Sequence, residues 1–324
     1  MPTKKRKVYS NIGRSEETDN GGSDNSSEGK SRSPERSLLT WRRVFGRVVL
    51  CVGVMMIIYI TQKKDSEQVF AKQSETVQGR KQEIPCSKDY ENELTRFKGC
   101  VPQRCGRLVT DWLVAPQEAA QLLSIAKKGL AHGGSSGGAS IFDLHSGALS
   151  HGDNFVNIYK LMKKEGKRTL FTQHDFEIYK KVKDKIHHMI ATEFGILPQK
   201  LYLTHPTFFS QMSNKLAKTK HDEYWHIHVD KETYGSFHYT SLLYLSDYDV
   251  DFTGGRFIYV DKSVNLTLEP KMGRVVAFTS GSENPHYVER VNSGIRYALT
   301  VSFTCNKKYA IDDLSTNNLN QQHS

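Results

Sequence analysis

At 324 residues, with 37% hydrophobic and 25% charged residues, the chain has room for one large domain with appendages and is too polar for a multi-span membrane protein. The formal charge of +10 is not a nucleic-acid footprint, because residues 1–47 hold 11 Lys+Arg against 6 Asp+Glu and so carry half of it. Collagen, a coiled coil and a small disulfide scaffold are excluded as well, and no nucleic-acid partner is expected.

Residues 1–40 are mostly Ser, Gly, Asn, Glu and Arg, too polar to offset the entropy of ordering, so a disordered tail is expected over 1–43. Lys4-Lys5-Arg6-Lys7-Val8 looks like a nuclear-import signal, and such basic clusters also occur beside membrane spans. The uncharged run VVLCVGVMMIIYIT follows; with Val44, Phe45, Gly46 and a snorkelling Arg47 it makes an 18-residue span, 44–61, with Trp41 and Tyr59 as interfacial anchors. Arg36, Arg42, Arg43 and Arg47 crowd one side, while Asp65 and Glu67 offset Lys63 and Lys64 on the other. The expectation is an uncleaved, single-pass type II signal anchor. The bulk of the chain then lies in the lumen of the endoplasmic reticulum or Golgi, or outside the cell.

Residues 62–83 read as a polar lumenal stalk, and the folded domain is expected over 84–310, with 311–324 a second disordered tail. Cys86, Cys100, Cys105 and Cys305 form an even set outside the span; their spacing lacks the short pairs of a zinc ribbon, so two disulfides of open connectivity are expected. Asn265-Leu266-Thr267 is a sequon usable on the lumenal side.

Pro116 opens the helical segment PQEAAQLLSIAKKGL, and Phe176, Tyr179, Val182, Ile186, Ile190 and Phe194 recur at helical spacing on a second one. GGSSGG, 133–138, lacks the Lys of a phosphate loop and reads as a flexible connection. His187 and His188 are read as surface or core residues. From Leu201 the period changes: LYLTHPTFF, FHYTSLLYLS, GRFIYV, RVVAFTS and RYALTVSFTC are short, β-branched and aromatic. The fold class is therefore α+β, a jelly roll over about 201–305 on a helical layer, preceded by a single transmembrane helix.

The chemistry gathers on the strands. In HDEYWHIHVDK, His228 and Asp230 are two residues apart and reach one face if extended; His286 follows in SGSENPHYVERV, and Arg296 comes ten residues later. Two histidines and a carboxylate form the facial triad of non-haem iron, which fills three positions and leaves three open. A 2-oxo acid chelates two of these, and a forked guanidinium such as Arg296 suits its distal carboxylate.

These residues resemble the prolyl 4-hydroxylase-like branch of the iron(II)- and 2-oxoglutarate-dependent dioxygenases, through His228-Val229-Asp230, Tyr244-Leu245-Ser246, Gly254-Gly255, Glu269-Pro270, Asn284-Pro285-His286 and Arg296-Tyr297-Ala298-x-Thr300. The resemblance implies a double-stranded β-helix. It implies Fe(2+) held by His228, Asp230 and His286, the three catalytic positions, and 2-oxoglutarate held by Arg296 with Tyr244 and Thr300. It also implies dioxygen as co-substrate and L-ascorbate as reductant. The collagen-type enzymes carry lysine where Arg296 stands, so a collagen substrate does not carry over; a lumenal peptide or protein side chain is the expected target. Arg256 and Glu283 are expected as solvated surface near the mouth, and His226 competes with His228. A catalytically silent, membrane-anchored β-helix binding module is the alternative function, and a soluble nuclear oxygenase routed by Lys4 to Lys7 a third.

Overall fold

The computed structural model describes residues 35–63, 67–166 and 170–314, without the side chains of 35–40, 60–63 and His221. Two compact units emerge, Met1–Thr61 and Gln62–Ser324. In the first, α1 (Glu35–Lys63) is a 29-residue helix whose apolar side chains, such as Leu50 and Met55, are exposed. Among the described residues no helix is long and apolar enough to cross a membrane. The expected span 44–61 ends on Ile60 and Thr61, whose side chains fall outside the described residues, and its described part, 44–59, carries Arg47. Lys4 to Lys7 lie outside the described residues too.

The second unit opens with β1 (Gln68–Ala71), β2 (Arg80–Ile84) and β3 (Cys105–Thr110). After α2 (Pro116–Leu130) come β4 (Gly134–Ser135), β5 (Ala139–Phe142), β6 (Ala148–Gly152) and β7 (Asn154–Asn157). The helices α3 (Ile158–Lys164) and α4 (Gln173–Phe194) lead to β8 (Tyr202–Ser213), the one-turn α5 (Asp230–Tyr234) and β9 (Tyr239–Tyr244). Six strands finish it: β10 (Phe252–Gly254), β11 (Phe257–Tyr259), β12 (Leu266–Leu268), β13 (Val275–Thr279), β14 (His286–Val288) and β15 (Val291–Thr304).

A large sheet runs β2-β3-β13-β9-β15-β8-β5-β6-β4, and a small one β1-β12-β11-β14. The two sandwich an interior of Phe257, Tyr259, Phe278, Tyr244, Val276 and Val288. On the other face of the large sheet, Leu243, Leu299, Val301 and Phe303 join Leu122 and Ile125 of α2 and Tyr179, Val182, Ile186 and Ile190 of α4 in a second core. Each such side chain contributes about 1.5–3 kcal/mol when fully buried. The ends of α4 are set by sequence: Thr172 accepts from the Asp175 N–H and Asp175 from the Thr172 N–H, and Gly195 takes φ 66° at the exit.

The structure corrects three expectations. From Gln68 onward the expected stalk 62–83 is folded, and residues 64–66 lie outside the described residues: β1 pairs parallel with β12 and β2 antiparallel with β3, so Phe70 and Val77 are buried while the charges of RKQEI face outward along an edge. Apolar content was too sparse there to mark the strands. The GGSSGG segment is tied down, because Ser135 Oγ donates to Asp222 Oδ1 at 2.5 Å and any Cβ on Gly137 would meet that carboxylate at 2.3 Å. The domain also runs past residue 310, since the Ile311 N–H donates to Leu203 O at 2.9 Å and Lys183 pairs with Asp313.

Both expected disulfides are present, Cys86–Cys105 and Cys100–Cys305. The second closes 205 residues, so it removes more freedom from the unfolded chain than the first. His187 and His188 lie on α4 with their rings bonded to the carbonyls of Leu201 and Asp184, and among the described residues neither joins a cluster of metal-ligating side chains.

Candidate metal and dicarboxylate site

His228 and His286 form an isolated antiparallel bridge in which each backbone N–H donates to the other's carbonyl at 3.0 Å. That pairing brings the ring centroids to 4.4 Å. His228 Nδ1 sits 3.0 Å from His226 O and His286 Nδ1 2.9 Å from Asn284 O. A carbonyl only accepts, so both Nδ1 atoms carry protons and both Nε2 atoms present lone pairs, the tautomer a metal requires. Asp230, first residue of α5, puts Oδ1 at 3.7 Å from each Nε2. The three ligand atoms lie within 4.8 Å of one another. Burial, with His228 assisting and Asp230 opposing, draws the His286 imidazole down to about 4, which keeps it neutral.

Arg296 on β15 points into the interior between the sheets and is 1% exposed. Its Nε donates to Gly255 O at 2.9 Å and Nη1 approaches Met212 Sδ at 3.6 Å, while Nη2 is buried without a partner. Its electrostatic neighbours are Tyr244 and Tyr224, not a carboxylate. A guanidinium cannot shed its proton, so a buried one without an anion is costly unless a ligand supplies the charge. The guanidinium lies 5.2 Å from the Tyr244 ring centroid, and the Tyr244 and Tyr259 hydroxyls also lack partners. Burial pushes the Tyr244 phenol up to about 12, against the pull of Arg296, so it stays a donor. Three unused donors beside a metal-ligand triad suit an anion that bridges the two: the residues fit 2-oxoglutarate, and the neutral imidazoles with one carboxylate fit Fe(2+).

Phe257, stacked 4.9 Å from His286, and Phe278, at 5.0 Å, wall the space between. Thr300 is half-buried on the inward row of Arg296 and Ala298, opposite Leu242 of β9. His226 is exposed and turns to Glu223 at 2.8 Å, which removes it as a rival to His228. Arg256 pairs with Glu289 and Glu67, and Glu283 accepts from Tyr90 Oη at 3.0 Å, so both are bound into the fold rather than solvated. Asn265 is exposed just before β12.

The side chains that support His286 and Asp230 leave little mark in the sequence. Buried Arg107 donates to Asn284 Oδ1 at 2.6 Å and through both Nη atoms to Asp261 at 2.7 and 2.6 Å, with Cζ 4.1 Å from the Tyr259 ring centroid. It thereby holds the turn whose carbonyl orients His286. The one available signal was an arginine inside the strand CGRLVT. Thr240 Oγ1, which donates to Asp230 Oδ2 at 2.6 Å, gave no signal in sequence.

The 2OG-Fe(II) oxygenase superfamily model matches residues 214–304. The chain is 50% identical over 286 residues to 2-oxoglutarate and iron-dependent oxygenase domain-containing protein 3 of Rattus norvegicus, covering 88% of this chain and 90% of that one. With the Homo sapiens protein of that name it shares 48% over 294 residues, covering 89% and 92%. Prolyl 3-hydroxylase 2 of Homo sapiens is 36% identical over 110 residues, 33% of this chain and 14% of that one. The chain belongs to the 2OG-Fe(II) oxygenase superfamily, in the family of 2-oxoglutarate and iron-dependent oxygenase domain-containing protein 3.

Proposed function

We propose that the protein is a 2-oxoglutarate-dependent dioxygenase in which His228 Nε2, Asp230 Oδ1 and His286 Nε2 hold iron(II), and Arg296, Tyr244 and Thr300 hold the distal carboxylate of 2-oxoglutarate. The observation that carries this reading is the convergence of the three ligand atoms within 4.8 Å beside a buried arginine whose Nη2 has no partner. When bound, the metal and co-substrate supply dioxygen activation: 2-oxoglutarate goes to succinate and carbon dioxide, and one oxygen atom enters a substrate C–H bond.

The protein's own residues do the positioning. Arg296 fixes one end of the dicarboxylate by charge and Tyr244 by a hydroxyl donor, so its oxo-acid end is presented to the triad. Phe257, Phe278 and Val288 exclude water, which strengthens those contacts. His228, whose side chain is 40% exposed, marks the side from which substrate enters, and its chain neighbour Ile227 is exposed. An open mouth of this kind admits a peptide or protein side chain, with ascorbate restoring iron(II) between cycles.

The two disulfides support an oxidising compartment, and the exposed Asn265 suits a glycan there. We place the oxygenase unit on the lumenal or extracellular side of a single-pass type II protein, a reading that rests on the uncharged run 48–61 and its flanking arginines. Release by sodium carbonate would remove the anchor, and resistance of Asn265 to endoglycosidase would count against the orientation.

Succinate formation by iron- and ascorbate-supplied protein tests the activity. Wild type is expected to turn 2-oxoglutarate over and His228→Ala is not. A wild-type protein that binds 2-oxoglutarate yet never makes succinate with any peptide pool would favour a silent binding module instead.

A further inference from the structure

Asp230 offers two oxygens, and only one of them faces the histidines. Oδ1 lies 3.7 Å from both Nε2 atoms, whereas Oδ2 accepts from Thr240 Oγ1 at 2.6 Å, and Thr240 Oγ1 lies 2.9 Å from Ser280 Oγ. Asp230, Thr240 and Ser280 are all buried. The direction of this chain follows from counting protons. An ionised carboxylate only accepts and a threonine hydroxyl has one proton, so Thr240 spends its proton on Asp230 and Ser280 donates to Thr240.

The backbone fixes both ends of the relay. Thr240 stands on β9 opposite Phe278 of β13, and Ser280 directly follows β13. Ser280 O accepts from the Lys231 N–H at 2.9 Å, and the Ser280 N–H donates to His238 O at 3.0 Å. The residue after Asp230 and the hydroxyl behind it are thus tied to one point of the chain.

We infer that Thr240 and Ser280 are positioning residues that restrict Asp230 to a one-oxygen metal ligand and so keep three coordination positions open. This inference rests on the reading of His228, Asp230 and His286 as the metal ligands. Two imidazoles and one carboxylate oxygen take three of six positions; a two-point chelate and dioxygen need the other three. Were Oδ2 free to bind as well, two positions would remain and 2-oxoglutarate and dioxygen would compete for them. The charge-assisted bond from Thr240 holds Oδ2 away.

The test uses the full chain loaded with Co(II), whose visible absorption responds to coordination number, and titrates it with 2-oxoglutarate. Thr240→Val keeps the shape and removes the donor. It is expected to bind Co(II), to give a visible spectrum altered from wild type as a second carboxylate oxygen replaces a solvent ligand, and to bind 2-oxoglutarate about tenfold more weakly. Thr240→Ser is expected to restore both readouts, and Ser280→Ala to fall between, which keeps the test alive if Thr240→Val does not fold. A Thr240→Val protein with the wild-type spectrum and wild-type 2-oxoglutarate affinity overturns the inference. So does weaker Co(II) binding with an unchanged 2-oxoglutarate affinity of the loaded protein. A wild type that binds no Co(II) instead removes the ligand assignment beneath it.

Discussion

Along β15, Leu299, Val301 and Phe303 turn toward the helices while Arg296 and Ala298 turn toward the small sheet. β9 repeats the division, with Leu243 on one side and Thr240 and Tyr244 on the other. The helix side is apolar and closely filled, with α2 and α4 supplying the cover. The inner side buries an arginine and two tyrosines with unused donors. Because a strand's side chains alternate, one sheet can carry stability on one face and hold the other at a cost until a ligand satisfies it. The same strand residues should therefore separate under mutation into those that unfold the protein and those that blind it.

The sharpest division comes from His286→Ala, which is expected to abolish metal binding and succinate formation in a protein that still folds, at a lowered melting temperature because the buried ring also gives up its packing on Phe257 and Phe278. Loss of the fold instead would erase the distinction between the faces. Next, Phe209→Ala on the helix side, where the ring stacks on Phe142 at 6.1 Å, is expected to cost about 4 kcal/mol in denaturant unfolding and leave the 2-oxoglutarate affinity of the folded fraction unchanged. Arg296→Leu should do the reverse, weakening 2-oxoglutarate about a hundredfold in a calorimeter with no loss of unfolding free energy, because it removes a buried charge without an anion.

Asp222 adds a pH test from outside both faces. Its carboxylate accepts from Ser135 Oγ, the Thr219 N–H and the Lys218 N–H. Those bonds outweigh burial and hold it at about 2, below the ordinary 3.8. A depressed carboxylate stabilises the fold above its unfolded pKa and ceases to as pH falls through the folded one. Asp222→Asn is thus expected to cost about 2 kcal/mol near neutrality, and its melting deficit should shrink between about pH 4 and 2. A deficit constant across that range would mean the charge is not what holds the loop. The smallest effect is that of Tyr244→Phe, about tenfold in 2-oxoglutarate affinity with stability equal or higher, since its hydroxyl has no protein partner to lose.

Much of this division can be read from the residues alone. Strand segments such as RVVAFTS and RYALTVSFTC carry a dense β-branched pattern, and the apolar spacing from Phe176 to Phe194 admits only a helix, so β13, β15 and α4 stand where expected. That His228, Asp230 and His286 come together was legible, because those residue types at that spacing form a pattern suited to a metal. β1 and β2 were not, since edge strands of four and five residues bury too little to show a period. Thr240 and Arg107 were hidden for a different reason: a supporting residue is defined by what it touches across the sheets, and Thr240 meets Asp230 only after β9 has been laid beside β13. The disulfide pairing was hidden likewise, for Cys305 meets Cys100 only through the fold.

The most direct measurement is calorimetric titration of 2-oxoglutarate into the full chain, with and without a divalent metal. Binding is expected to need the metal, to vanish in His286→Ala and to weaken about a hundredfold in Arg296→Leu. A metal-loaded wild type that takes up no 2-oxoglutarate, or takes it up equally well without Arg296, would contradict the assignment of the site.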